Sequence, residues 1–201
     1  LSGKPVIEFL LSRLRKSKLI DEIIVALPEN DNNLVLKNHL INIGCSIFTG
    51  SEDDVLNRYY EAAKSVKAEN IVRITGDCPL IDSNIISQVL NSYIHNKFDY
   101  VSNANIRSYP DGMDVQVFSF SALKKSYQLA KSKLEKEETI ILNYVCTHNS
   151  RRSQISQIMG QVASYHYGVN VICYSGGTEV TAFHPNAIAA MSRTGLEIKQ
   201  R

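Results

Sequence analysis

A chain of 201 residues, 44% apolar and 21% charged, has room for one α/β domain of ordinary size or two small ones and is too apolar for disorder. Its charge is nearly balanced at +2, with 22 basic and 20 acidic residues, which makes no case for nucleic acid or a membrane surface as partner. No apolar run approaches the ~18 residues of a bilayer span, and Cys45, Cys78, Cys146 and Cys173 form neither a CxxC pair nor a metal-ligand spacing, which excludes zinc modules and disulfide miniproteins and points to a reducing cytoplasm.

The chain runs from Leu1 straight into an amphipathic helical pattern, with Val6, Ile7, Leu10, Leu11 and Leu14 on one face. A domain seldom opens on such an element, so further chain is expected before Leu1, and the ending "TGLEIKQR" reads the same way. "EIIVALP" is an apolar, β-branched run stopped by Pro28, which predicts a buried parallel strand. "NDNNLVLKNHLINIG" predicts a polar-capped helix and "CSIFTG" a short strand. "SEDDVLNRYYEAAKSVK" has Ser51 and three acids in its first turn, good chemistry for a helix start. The strand "NIVRIT", the turn "GDCPLID", the helix "SNIISQVLNSYIHN" and the strand "FDYVSN" follow, then the alternating "GMDVQVFS" and the helix "FSALKKSYQLAKSKLEKEE". This alternation implies an α/β fold, a three-layer sandwich around a mostly parallel sheet.

The character changes near residue 138. Residues 1–138 hold 17 basic and 18 acidic side chains, whereas residues 139–201 hold 5 and 2, so two units are expected, 1–138 and 139–201. The second runs from the strand "TIILNYV" through the loop "CTHNSRRS" to the helix "QISQIMGQVASYHYG", then "VNVICYSGG" and "HPNAIAAMSRTG". Tyr165, His166 and Tyr167 are expected to pack at a helix end, and Cys45 and Cys173 to sit in buried strands.

Two constellations carry chemistry. In "GDCPLID", Asp77 follows a strand at its carboxyl end, the edge where open α/β sheets bind ligands. A carboxylate there suits Mg²⁺ held against nucleotide phosphates, and Gly76 permits close approach of backbone to ligand. Arg73 and Arg58 are candidates to position phosphate charge. The same turn also serves a plain structural end, with Asp82 as a helix N-cap. In "CTHNSRRS", Cys146 and Arg152 stand with five residues between them, after a strand pattern and before a helix pattern. A loop of that length turns the amides around Asn149, Ser150 and Arg151 inward as an anion nest at a helix N-terminus. Such a nest lowers a thiol's pKa, Arg152 clamps an oxyanion, and Ser153 donates to the thiolate.

"GSEDDVLNRYYEAAK", "IVRITGDCPLID" and "YPDGMDVQVFSFSALKKS", in that order, closely resemble the cytidylyltransferases of the spore-coat polysaccharide type, relatives of the CMP-KDO and acylneuraminate cytidylyltransferases. The resemblance covers residues ~1–134. It implies a glycosyltransferase-A-like nucleotide-binding fold and transfer of a cytidylyl group from CTP to a sugar or sugar acid, with pyrophosphate leaving. It also implies Asp77 as Mg²⁺ ligand, Gly50, Ser51 and Arg58 beside nucleotide and sugar, and Asp111 and Asp114 in a substrate-side loop. That family opens with a glycine- and arginine-containing loop, and Ser2, Gly3 and Lys4 match only the residues just after it.

Residues ~139–198, through "ILNYVCTHNSRRSQ", "YSGGTE" and "HPNAIAAMSRTGLEI", resemble the first half of a low-molecular-weight protein tyrosine phosphatase or a related arsenate reductase. That resemblance implies Cys146 as nucleophile, Arg152 as phosphate clamp, Asn149 as loop organiser and Ser153 as thiolate stabiliser. The family's acid is a late aspartate, and no Asp occurs after Asp114. Three functional classes therefore compete: a nucleotidyltransferase, a cysteine-dependent phosphatase or reductase, and an inactive chimera that binds anions alone. A homodimer is an expectation left open beside each.

Overall fold

The structure, a computed structural model of the chain, describes residues 3–104, 109–110, 112–146, 152–177 and 185–193, without the side chains of Val145, Cys146 and Arg152. It divides into two compact units, residues 1–103 with 109–128, and residues 104–108 with 129–201.

The first unit begins with α1 (Val6–Leu14), whose apolar face buries Leu10, Leu11 and Leu14. Next come β1 (Ile24–Pro28), a single 3₁₀ turn, α2 (Leu34–Asn42) and β2 (Ser46–Gly50). Strands β1 and β2 pair in parallel through α2, from Ile24 opposite Ser46 to Pro28 opposite Gly50. Then follow α3 (Val55–Ser65), β3 (Asn70–Arg73), α4 (Ser83–Asn96), β4 (Tyr100–Ser102), β5 (Gln116–Ser119) and α5 (Phe120–Glu135), which passes into the second unit at Leu129. Their order in the second sheet is β3-β5-β4, with β5 antiparallel to both neighbours.

The α/β class is as expected, but the sheet is less parallel than expected. Strand β5 follows β4 in the chain and pairs beside it in the antiparallel sense, whereas β1 and β2, joined through α2, pair in parallel. Among the described residues, β1–β2 also forms a sheet separate from β3–β5–β4.

Helix α1 serves two cores at once. Leu10 and Leu14 join Ile81, Ile85, Ile86, Val89, Leu90 and Tyr93 around α4, with Val115 and Val117 from β5. Leu11, one step round the helix, packs instead with Leu27 and Leu40 of the β1–β2 layer. Leu11→Ala therefore removes the fully packed α1 side chain of the second cluster and leaves the partly buried Ile7 as that helix's contact with it. Since Leu11 is 2% exposed and Leu40 fully buried, a loss of about 2–5 kcal/mol is expected in urea unfolding. A loss under about 1 kcal/mol would show that the cluster is not packed around this residue.

The second unit holds β6 (Ile140–Cys146), α6 (Arg152–Tyr167), β7 (Val171–Gly177) and α7 (Pro185–Arg193). Strands β6 and β7 are parallel, with Ile140 opposite Val171 and Cys146 opposite Gly177. Helix α6 meets β7 through polar side chains. The Gln161 amide donates to Val171 O (3.1 Å) and accepts from Cys173 N (3.0 Å), while Gln157 donates to Cys173 O (3.0 Å) and accepts from Ser175 Oγ (2.6 Å). With that face turned to β7, the expected packing of the Tyr165–Tyr167 run is not found: Tyr165 is 90% exposed and Tyr167 68%. Cys173 is buried in β7 as expected, whereas Cys45 precedes β2 and is half-buried.

Candidate functional site

The carboxyl ends of β1, β2 and β3 carry the polar loops of the first unit. At the first two, Glu29 N–H donates to Gly50 O (2.8 Å), carrying the β1–β2 ladder one bond past its last pair. Asn30 Nδ2 donates to Glu52 Oε2 (2.7 Å) and Asn33 Nδ2 to Asn30 Oδ1 (2.6 Å), so the loops after β1 and β2 are tied to each other. Ser51 Oγ accepts from Asp54 N–H (2.9 Å), and Asp54 Oδ1 accepts from Asn57 N–H (2.8 Å) as N-cap of α3. Arg58, one turn into α3, donates through Nη1 to the carbonyls of Ser51 and Glu52. Its stem lies on Gly50, where a Cβ would meet Phe48 Cε1 at 3.1 Å and Arg58 Cγ at 3.3 Å. Gly50, Ser51 and Arg58 are thus brought together as one built loop, in which the arginine braces backbone carbonyls. A cavity of about 220 Å³ lined by Pro28, Asn30, Asn33, Lys37 and Thr49 opens beside it. The larger cavity, about 310 Å³, lies at the opposite, amino ends of β1 and β2, away from the edge where such sheets hold ligands.

After β3 the chain turns sharply. Cys78 N–H donates to Thr75 O (3.2 Å) and Ile81 N–H to Cys78 O (3.2 Å), leaving Gly76 and Asp77 exposed at the tip. Nothing within 4 Å would meet a Cβ at Gly76, so the space above it is open. The Asp77 carboxyl is held below its ordinary range. The Thr75 hydroxyl is the main cause, assisted by its own backbone N–H, the Cys78 thiol and the Arg73 charge, and opposed by slight burial. It is therefore a ready anion at neutral pH. Arg73 is fixed from two sides, by Nη1 donating to Gln116 Oε1 (2.8 Å) and by its guanidinium lying 5.6 Å from the centre of the Tyr59 ring. Asp82 caps α4 by accepting from Asn84 N–H (2.7 Å) and pairs with Arg13 at 3.6 Å, so the structural role expected of it is also present.

No group of three or more metal-ligating side chains exists among the described residues. A single exposed, ionised carboxylate at a strand's carboxyl end still fits Mg²⁺, which takes one or two carboxylates and fills its shell with water and phosphate oxygens.

Asp114 lies in the return to β5 and is half-buried. Asp111 lies outside the described residues, as do Asn149, Ser150 and Arg151. Cys146 ends β6 and Arg152 begins α6. Ser153, in the first turn of α6, is 3% exposed. Asn30, Glu52, Tyr59 and Gln116 were not legible as site residues, because each works through a partner distant in sequence.

The family model described as "Cytidylyltransferase" matches residues 1–175, across the expected boundary at 138 and across Cys146, Arg152 and Ser153. The uncharacterized protein MJ1063 of Methanocaldococcus jannaschii is 43% identical over 140 residues, 68% of this chain and 55% of that protein. The spore coat polysaccharide biosynthesis protein SpsF of Bacillus subtilis is 28% identical over 104 residues, 50% of this chain and 43% of that protein. The chain thus spans about half the length of these curated relatives. A solved cytidylyltransferase structure from Leptospira borgpetersenii superposes with a TM-score of 0.61 at 21% identity, covering 98% of this chain and 89% of that one, and so shares the fold. The phosphatase resemblance of residues 139–198 gains no support from these matches. No helix among the described residues is long and apolar enough to cross a membrane.

Proposed function

From the premise that the chain belongs to the cytidylyltransferase family, we propose that its first unit binds CTP at the carboxyl ends of β1–β3 and transfers the cytidylyl group to a sugar or sugar acid in surface polysaccharide synthesis. The observation that carries this reading is Asp77: an exposed carboxylate kept ionised at a strand's carboxyl end, above an open glycine. Asp77 would hold Mg²⁺, and the metal would neutralise phosphate charge as pyrophosphate leaves. The protein's own work is placement. The Gly50–Asp54 loop, braced by Arg58, offers close backbone and hydroxyl contact to the nucleotide, and Arg73, held by Tyr59 and Gln116, keeps a positive charge beside Asp77. Asp114 stands on the acceptor side. Residues 1–138 form the nucleotide-binding part of this reading, and the setting is cytoplasmic, with a homodimer as the assembly to be tested.

The Cys146–Arg152 segment is a second reading, supported by a strand that ends at Cys146 and a helix that begins at Arg152. It gives the chain a phosphate-type anion site appended to the first. Pyrophosphate release from CTP, measured with Mg²⁺ and a panel of sugar phosphates, KDO and acylneuraminate, separates the two. Release that needs CTP and one acceptor supports transfer. Aryl phosphate hydrolysis lost in Cys146→Ser, with no pyrophosphate release, supports the phosphatase instead.

A further inference from the structure

Strand β4 ends at Ser102 and β5 begins at Gln116, its partner in register. Asn103, one step beyond, bonds to the described residues that lead into β5. Its backbone N–H donates to Val115 O (3.3 Å). Its side chain does more: Oδ1 accepts from Val115 N–H (2.7 Å), and Nδ2 donates to Met113 O (2.9 Å). One amide group therefore holds the chain on both sides of Asp114. Val115 is fully buried and Met113 packs against the α4 core, so the two gripped residues are also fixed from below. Tyr109 Oη donates to Gln88 Oε1 (2.6 Å), which ties Tyr109 to α4.

The residue type is dictated by this geometry. The site needs an acceptor and a donor on one short, planar group. Aspartate lacks the donor, leucine lacks both, and glutamine is one methylene too long.

We propose that Asn103 is a positioning residue for Asp114. It fixes the acceptor-side carboxylate without touching either substrate, and so governs recognition of the sugar rather than of the nucleotide. The claim rests on the reading of Asp114 as part of the acceptor side.

The test uses the full chain with Asn103→Ala, which loses both side-chain bonds, and Asn103→Asp, which keeps the bond from Val115 N–H and loses the one to Met113 O. With the acceptor that wild type turns over, KM for the acceptor is expected to rise about tenfold or more in Asn103→Ala and less in Asn103→Asp, on the scale of a lost positioning contact. KM for CTP is expected to stay within about twofold. Equal changes for both substrates, or an unchanged acceptor KM, overturn the proposal, since a general loss of structure does not separate the two. If wild type turns over no acceptor, the reading of the site fails by itself. The role of Asn103 is then read from the ¹³C carboxyl resonance of Asp114, which is expected to move in Asn103→Ala and to move less in Asn103→Asp. A resonance unchanged in both variants overturns it.

Discussion

Asp77→Asn is expected to cut cytidylyl transfer by at least about 100-fold, the scale on which one group that stabilises transferring charge contributes, while leaving the fold intact. The side chain stands exposed at the tip of the turn, and its local bonds come from Thr75 and Cys78, which also bond each other at 3.2 Å. The turn therefore keeps its shape when the charge is lost, and the melting temperature should move by no more than a few degrees. Because the folded-state pKa lies below the ordinary value, whatever Asp77 contributes to stability is fully present above that ordinary value and fades as pH falls through the lowered one. Asp77 does not titrate between pH 5 and 8 on this account, so a pH dependence of CTP loading in that range must come from another group. Wild-type rates in Asp77→Asn at saturating Mg²⁺ would remove the carboxylate from the mechanism.

The second large effect falls in the second unit. A Cβ at Gly160 would collide with Tyr144 Oη and lie 3.0 Å from Cys173 Sγ, inside van der Waals contact with both. Helix α6 approaches β6 and β7 closely at that point, and glycine is what permits it. Gly160→Ala is expected to destabilise this unit by about 1–3 kcal/mol, the usual range for overpacking. Adding Tyr144→Phe removes the colliding oxygen and should restore part of the loss in a double-mutant cycle.

Tyr144 supplies an independent check. Burial, then the nearby Cys173, pushes its pKa above the ordinary tyrosine value. The neutral phenol is the form the fold prefers, so its contribution is complete below the unfolded pKa near ~10 and is lost as pH rises through the folded value. Alkaline destabilisation that is blunted in Tyr144→Phe agrees with this packing. Identical alkaline profiles in the two proteins would place the hydroxyl elsewhere.

The elements were legible in the sequence where local chemistry decides them. Ile24–Pro28 is β-branched and stopped by proline, and it is a strand. Asp82 precedes an apolar-periodic run and is the N-cap expected there. Helix α3, by contrast, starts only at Val55, so Ser51, Glu52 and Asp53 precede the helix and Asp54 is its N-cap rather than part of its first turn. The direction of β5 was not legible, because alternation along "GMDVQVFS" fixes which side chains face the core and says nothing of the neighbour's direction. The same limit hid most of the site. Asp77 announces itself by its turn, whereas Asn103 works through Val115 and Tyr59 through Arg73, contacts that exist only after register and packing are set. Arg58 shows the converse. Its sequence position suggested a phosphate contact, and the structure adds a brace on the Ser51 and Glu52 carbonyls.

The position of CTP on the chain decides between the two readings. Backbone amide shifts of ¹⁵N-labelled full chain, followed as Mg²⁺ and CTP are added, test this most directly. Shifts concentrated at Gly50–Asp54 and Thr75–Cys78, weakened without Mg²⁺ and absent in Asp77→Asn, are the predicted result. Shifts confined to residues 146–153, unaffected by Asp77→Asn, would contradict it and favour the second reading at Cys146 and Arg152.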